Sequence, residues 1–296
     1  MDNYSLAIID RNAAVAESSK LLREMVTAST TKQQLDIIIS IASLVKENDE
    51  DFKFYKVTYN ELGKIINPAN PRTKIVQKEI DDSVKGLMNS SFCIRTESLD
   101  LYYHWIEHVR VDKDEKTVYF KLSSDVKKFY LKLQNGKTIY LLNDLLSLST
   151  MFQANLFRWL SANCNFANPV GINIEDAKLQ FNNDTEILTK KFIEKLDRAL
   201  DKINNATHVY ATYEKIYEGK KLIRLDFSID NTYTKVEHKY FPSEIKANNE
   251  KKKKTWEENK ELKKQNNFLE TVVMLQNLEL DGKENIAKKY YENYKE

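Results

Sequence analysis

One spacing organises this sequence more tightly than any motif in it. Positions 115 residues apart play the same part in two successive stretches of chain. Val57 corresponds to Ile172, Thr58 to Asn173, Val84 to Ala199, Met88 to Ile203 and Asn89 to Asn204. Around these anchors both stretches read in one order: helix, β-prone segment, short helix, breaker, long helix, β-hairpin. A chance likeness between two ordinary α+β segments is the plain alternative. A duplicated supersecondary unit accounts for the shared order and the constant offset together.

In the first copy a helix begins after Thr30 or Thr31 and carries Leu35, Ile38, Ile39, Ala42 and Val45 at helical spacing. Residues 54–57 are β-prone, and Thr58-x-x-Glu61 has the form of a capping box that starts a helix. Residues 67–71, Asn-Pro-Ala-Asn-Pro, break the chain. From Arg72 to Met88 the pattern is helical again, with Val76, Ile80, Val84, Leu87 and Met88 on one face. The β-prone segments 92–95, 101–111 and 117–122 follow, the last two flanking a charged turn at 112–116. In the second copy a helix over 150–163 precedes a strand at 170–172 and a short helix ending near Phe181. After the breaker at 182–184 a long helix runs to about Ile203, with Leu188, Phe192, Leu196, Ala199 and Ile203 inward. Strands at 208–217 and 222–229 close a hairpin around Gly219. The division is a weakly structured arm over 1–30, domains over 31–135 and 136–233, and a charged linker with a helical tail over 234–296.

Composition excludes several classes. The chain of 296 residues is 42% hydrophobic and 30% charged, enough apolar material for a packed core. Six glycines and four prolines exclude collagen-like and linker-rich designs. Lys and Arg number 46 against 44 Asp and Glu, a net charge of +2. Affinity for nucleic acid therefore has to come from local patches. Two cysteines without near partners, Cys93 and Cys164, argue against a disulfide scaffold and for a cytoplasmic location. The N-terminus has no basic signal region, and no apolar run nears the roughly 20 residues of a membrane span.

Apparent catalytic motifs do not hold together. Gly136-Lys137-Thr138 has the end of a phosphate loop, but Leu131 stands where the first glycine belongs, and a helix precedes it. His104 and His108 lie in a β-prone stretch, where four residues span about 13 Å, too far for one ion. The cysteines have no His–Asp partner set, and Asp81-Asp82 read as solvated charge. The expectation is no catalytic residue, no metal and no cofactor: not an enzyme.

A short helix, a turn, a longer helix and a hairpin together make the winged form of the helix-turn-helix, whose second helix enters the DNA major groove. The expected fold is α+β, with two tandem winged-helix domains and a helical C-terminal tail. Fold alone leaves protein binding open.

From about Thr30 to Ile229 the chain resembles the iteron-binding replication initiator family of theta-replicating plasmids. Tyr140-Leu141-Leu142-Asn143, Leu148-Ser149 and Ala154-Asn155-Leu156-Phe157-Arg158-Trp159-Leu160 resemble the family's strand and its R-L-Y-E-L-L-like helix. The stretch from Leu196 to Asn204 is similar to the family's L-x-P-A-L-x-E-I-N segment, with Arg198 for the usual proline and Lys202 for the usual acidic residue. Tyr213-Glu214, Gly219-Lys220-Lys221 and the run from Ile223 to Phe227 resemble its wing. The first unit matches more loosely, and the last 60 or so residues carry no family pattern. The resemblance implies two winged-helix domains in a pseudo-dimeric arrangement, with no catalytic centre. It implies binding to direct repeats at a plasmid origin, melting of an AT-rich segment and recruitment of host initiator and helicase proteins. It also implies repression of the chain's own promoter by a homodimer.

At 100° per residue, Ile187, Lys190, Lys191, Glu194 and Arg198 face outward from the second long helix, with Asn183 and Asp184 at its start. An outward Ile187 suits a thymine methyl. Ordinary solvated charge is the alternative for the lysines. In the first unit Arg72, Lys74, Ile75 and Lys78 are the candidates, on a surface weakened by Asp81 and Asp82. Lys220, Lys221 and Arg224 on the second wing are expected at phosphates, with Lys113 and Lys116 as weaker equivalents in the first. The lysine run at 251–254 adds nonspecific attraction. A winged-helix repressor without a replication role and a protein-binding scaffold remain alternatives.

Overall fold

The computed structural model describes residues 6–46, 49–95, 98–133, 136–164 and 169–231; the tail expected over 234–296 lies outside them. The segment expected as a weakly structured arm is instead regular: β1 (Ala14–Ser18), α1 (Ser19–Glu24) and β2 (Met25–Thr27). Then come α2 (Lys32–Ala42), β3 (Tyr55–Thr58), α3 (Tyr59–Ile66), α4 (Lys74–Leu87), β4 (Ser91–Arg95), β5 (Asp100–His104), β6 (Ile106–Asp112) and β7 (Thr117–Leu122). A 3-10 turn (Ser124–Val126) and α5 (Lys127–Tyr130) lead into β8 (Lys137–Leu141), α6 (Leu142–Leu146), α7 (Met151–Asn163), β9 (Val170–Asn173) and α8 (Ile174–Asn182). The last described elements are α9 (Thr189–Ala206), β10 (Val209–Glu218) and β11 (Lys221–Asn231).

The duplication is visible in the element starts. β3, α3 and α4 begin at 55, 59 and 74, and β9, α8 and α9 at 170, 174 and 189. Each set folds into a helix-turn-helix with a three-stranded sheet, ordered β3-β7-β6 in the first copy and β10-β11-β9 in the second. The leading helices α2 and α7 start with full capping boxes, Thr31 with Gln34 and Thr150 with Gln153. At Thr58 only half of the expected box forms. The hydroxyl accepts from the Glu61 amide at 3.1 Å, while the Glu61 carboxylate takes Lys64.

The stretch 101–111, expected as one strand, is broken at Trp105. Trp105 and Ile106 are adjacent and both buried, which no single strand facing one core allows. The Trp105 amide donates to Ser90 O and its carbonyl accepts from the Ser123 amide, so it leaves both ladders. β5 pairs with β4 in a separate sheet, β2-β4-β5, and β6 pairs with β7. The Trp105 ring packs 4.2 Å from that of Phe92.

On the long helices the burial register differs by one residue from the sequence offset. Val76, Ile80, Val84 and Leu87 are buried on α4, and Phe192, Leu196, Leu200 and Ile203 on α9. Those pairs are 116 residues apart. Met88, matched to buried Ile203 by the 115 spacing, is exposed. The strands and short helices keep the 115 offset, and the extra residue is absorbed before the inward face of α9 begins.

The two halves are joined by a local pseudo-dyad. β1 pairs antiparallel with β8, Ala16 facing Ile139, and α1 and α6 follow their strands directly. Both strands and both helices start 123 residues apart, so Ala16 faces its own counterpart, as in an isologous contact. Beneath it, Glu17 and Arg158 are both fully buried. Arg158 on α7 donates to both Glu17 oxygens at 3.2 and 2.7 Å, and the Tyr130 and Tyr140 hydroxyls donate to the same carboxylate. α7 is buried on every side from Ala154 to Asn163, the position of a helix central to its core.

Candidate nucleic-acid interface

The second long helix is held by aromatic packing. Phe192 of α9 lies 5.8 Å from Phe152, Phe152 lies 6.3 Å from Phe181, and Trp159 lies 5.5 Å from Phe181 and 5.4 Å from Phe227. Rings from α7, α8, α9 and β11 thus fix the outward face of α9 against a rigid support. At its far side the Tyr213 hydroxyl donates to Asp197 at 2.7 Å. Burial and that carboxylate push the Tyr213 hydroxyl well above its ordinary pKa. In the first copy the Tyr59 hydroxyl donates to Asp81 at 2.5 Å, which fastens α3 to α4; burial first, and then that carboxylate, push the Tyr59 hydroxyl up to about 12. Asp81 is therefore committed inside the helix pair.

On α9, Lys190 and Lys191 are exposed, and among the described residues neither is held in an ion pair. Glu194 is exposed beside them. Arg198 is exposed but curls back along the helix, its Nε donating to the Glu194 carbonyl at 3.1 Å. On α4, Lys74, Ile75 and Lys78 are exposed, and Arg72 just before it donates to Asn60 at 2.9 Å. Asp82 is exposed, 4.0 Å from Lys85. The helix thus opens with lysines and turns acidic a turn later. A cleft of about 240 Å³ separates its start from the first wing, with Thr58, Arg72, Gln77 and Lys116 on its walls.

Three sequence expectations need correction. Helix α9 starts at Thr189, so Asn183 and Asp184 are not at its N-terminus. Asn183 closes α8 in the left-handed conformation, and Asp184 accepts from the Glu186 amide in the following turn. Because 184–188 is not helical, a helical wheel extended over it misplaces its side chains. Ile187, expected outward, is partly buried against the core, while Leu188, expected inward, is 66% exposed. Arg224, expected free for phosphate, is paired in two places with Asp226, at 2.7 and 2.8 Å. The two residues are two apart on β11 and so share one face of the strand.

The second wing keeps its expected cations. Gly219 adopts φ of +60° at the turn, and Lys220 and Lys221 beside it are exposed. In the first wing Lys116 takes φ of +50°, and Lys113 and Lys116 are exposed, but neighbouring Glu115 pairs with Lys56 at 2.5 Å. His104 and His108 lie on separate strands of separate sheets, both exposed. Cys93 is buried and Cys164 half-buried, the Cys164 thiol donating to the Ser161 carbonyl at 3.1 Å. Among the described residues no group of three His, Cys, Asp or Glu could hold a metal, and no helix is long and apolar enough to cross a membrane. What the sequence reading missed is Leu188. The breaker at 182–184 was legible, but not how far the turn after it runs.

The family model described as Initiator Replication protein, WH1, matches residues 14–161, half of the chain. The chain belongs to that family. It is a replication initiator. Among solved structures, the Pi initiator protein in complex with iteron DNA is similar at 15% identity with a TM-score of 0.61, covering 76% of this initiator and 100% of that chain. Domains 2 and 3 of RctB match at 10% identity with a TM-score of 0.43, over 77% of this initiator and 94% of that chain. No curated protein matches it. The matched stretch begins at Ala14, the first residue of β1, so residues 14–30 of the expected arm lie within it.

Proposed function

We propose that this initiator binds directly repeated duplex sites, iterons, at a plasmid origin, with α4 and α9 each in a major groove. The observation that carries the reading is the family match, which covers the first winged-helix unit and the helix α7 that leads into the second. The fold shared with the Pi initiator, whose structure holds iteron DNA, supports the same target. The two reading units are the domains over 31–135 and 136–233, the second being the principal reader. Lys190 and Lys191 are its base-reading candidates, and Lys220 and Lys221 reach flanking phosphates. Lys74, Ile75 and Lys78 read a second groove, with Arg72, Arg198 and Arg224 available only if they leave their present partners.

In this reading the bound initiator opens adjacent duplex, recruits host initiator and helicase proteins in the cytoplasm, and as a homodimer represses its own promoter. It performs no catalytic step itself. Two reading heads in one chain, about one turn apart, predict protection over about two helical turns. Footprinting on the DNA flanking the gene tests the reader, and protection of one isolated turn would contradict the two-headed arrangement. Transformation with the gene and its upstream DNA tests initiation, which requires that the replicon persist.

A further inference from the structure

Two large apolar side chains stand in the solvent where the reading helices begin. Ile75, the second residue of α4, is 73% exposed, and Leu188, immediately before α9, is 66% exposed. Both are flanked by exposed cations or polar groups: Lys74 and Lys78 around Ile75, Lys190 and Lys191 after Leu188. Neither is needed for the core, since the inward positions of both helices are filled by Val76, Ile80, Phe192 and Leu196. An isolated exposed leucine needs no explanation by itself. Two of them, one at the start of each long helix of a duplicated winged unit, do.

We propose that Leu188 and Ile75 read thymine, each packing on a thymine C5-methyl in the major groove. The inference rests on the DNA-reading function proposed above and names the base class that the site prefers. The chemistry is narrow. In the major groove every base edge offers hydrogen-bonding groups, and only thymine adds an apolar methyl. An aliphatic side chain has nothing to give a guanine or cytosine edge and would cover their polar atoms without a partner. The positive charge of the lysines beside it draws the helix start toward the groove whether or not they also meet a base edge.

The two contacts are not equivalent by the repeat. In the burial register of the long helices, Leu188 corresponds to Arg72 and Ile75 to Lys191. Each half therefore places its apolar side chain at a different step relative to the helix start, Leu188 just before α9 and Ile75 just inside α4. Two methyl-dependent positions follow, about one helical turn apart and not related by symmetry within the site.

The test uses the full chain and a duplex selected by it from a pool with a randomised segment about two helical turns long. Each thymine of the selected duplex is replaced singly by deoxyuridine, which removes the methyl and nothing else. The expected result for the unaltered protein is a three- to five-fold loss of affinity, about the worth of one buried methyl, at one thymine in each half-site. Leu188→Ala abolishes the loss at one of these positions and Ile75→Ala at the other. Lys191→Ala leaves both intact while weakening binding overall. Both apolar residues are exposed, so these variants keep the fold, and unchanged thermal melting verifies it. If no deoxyuridine changes affinity, or if the losses survive in both alanine variants, the methyl contact is wrong while DNA reading stands. If the pool yields no enriched sequence, the DNA-reading function itself fails.

Discussion

Arg158 and Glu17, 141 residues apart in sequence, form a two-pronged ion pair with no access to solvent, where the first strand of the chain meets the central helix of the second half. The guanidinium is held strongly charged: burial opposes it, but the Glu17 carboxylate and the two tyrosines more than offset that. Two tyrosine hydroxyls complete the shell of the carboxylate. Burial comes first among the causes that push both hydroxyls far above their ordinary range, with the adjacent carboxylate next.

Removing one member of this pair leaves an uncompensated buried charge. Glu17→Ala and Arg158→Ala are each expected to lower unfolding stability by about 3–5 kcal/mol. A combined Glu17→Leu, Arg158→Leu variant is expected to cost less than the sum, because it removes both charges. Urea unfolding of the three variants checks this, and strict additivity would show that the pair is not coupled.

Asp36 on α2 supplies a pH dependence of a definite sign. Its carboxylate donor is Lys32 at 2.5 Å, yet burial raises its pKa from 3.8 to about 6, against the pull of Lys32 and Arg11. Between about pH 4 and 6 the folded state therefore holds a proton that the unfolded chain has released. Stability from this group is greatest at the acid end and falls as pH rises through that window, by about 3 kcal/mol in all. Asp36→Asn is expected to flatten that part of the pH–stability curve. Unfolding at pH 4.0 and 6.5 measures it, and equal slopes in both proteins would exclude Asp36 as the source.

Gly63 sits where α3 passes close under the breaker. A Cβ there would lie 2.2 Å from the Pro71 carbonyl oxygen, a backbone atom that cannot swing aside. Gly63→Ala is expected to cost about 1–3 kcal/mol through displaced backbone. It should also weaken DNA binding, because the same loop leads into α4. A melting temperature equal to that of the native chain would mean that the loop yields freely.

Lys220 and Lys221 are expected to act through phosphate. Reversing both charges should flatten the salt dependence of DNA affinity by up to about two contacts, at a slope near 0.9 per contact, without changing the preferred sequence. Affinity measured across a salt series checks this. A changed preference with an unchanged slope would place these lysines at base edges.

Lys190→Ala and Lys191→Ala are each expected to cost about 1–3 kcal/mol of binding if the side chain meets a base, and to relax selectivity at one position. Lys78→Ala should cost less, because Asp82 stands one turn beyond it and repels phosphate. Binding to a systematically mutated duplex ranks the three. A larger loss of selectivity for Lys78→Ala would move the principal reader to the first half.

The sequence by itself determined the duplicated order of elements, because apolar periodicity within each helix and the breakers between them are local properties. The breaker before α4 and the inward faces of both long helices could be read directly: Val76, Ile80 and Val84, then Phe192, Leu196 and Ala199, are all buried. Residue type and helical spacing likewise singled out Lys190, Lys191, Lys220 and Lys221, which are exposed as expected. Only tertiary structure decided what depends on partners distant in sequence. β1 is too short to show a period, and it is a strand because β8, more than a hundred residues later, completes its ladder and Arg158 neutralises Glu17. Trp105 breaks a β-prone run because two sheets compete for it, and Leu188 faces solvent because the turn after α8 ends at Thr189 and not where the helical wheel was extended. Local spacing specifies which face of an element is apolar, whereas burial against a remote segment decides where that element begins and which side chains remain outside.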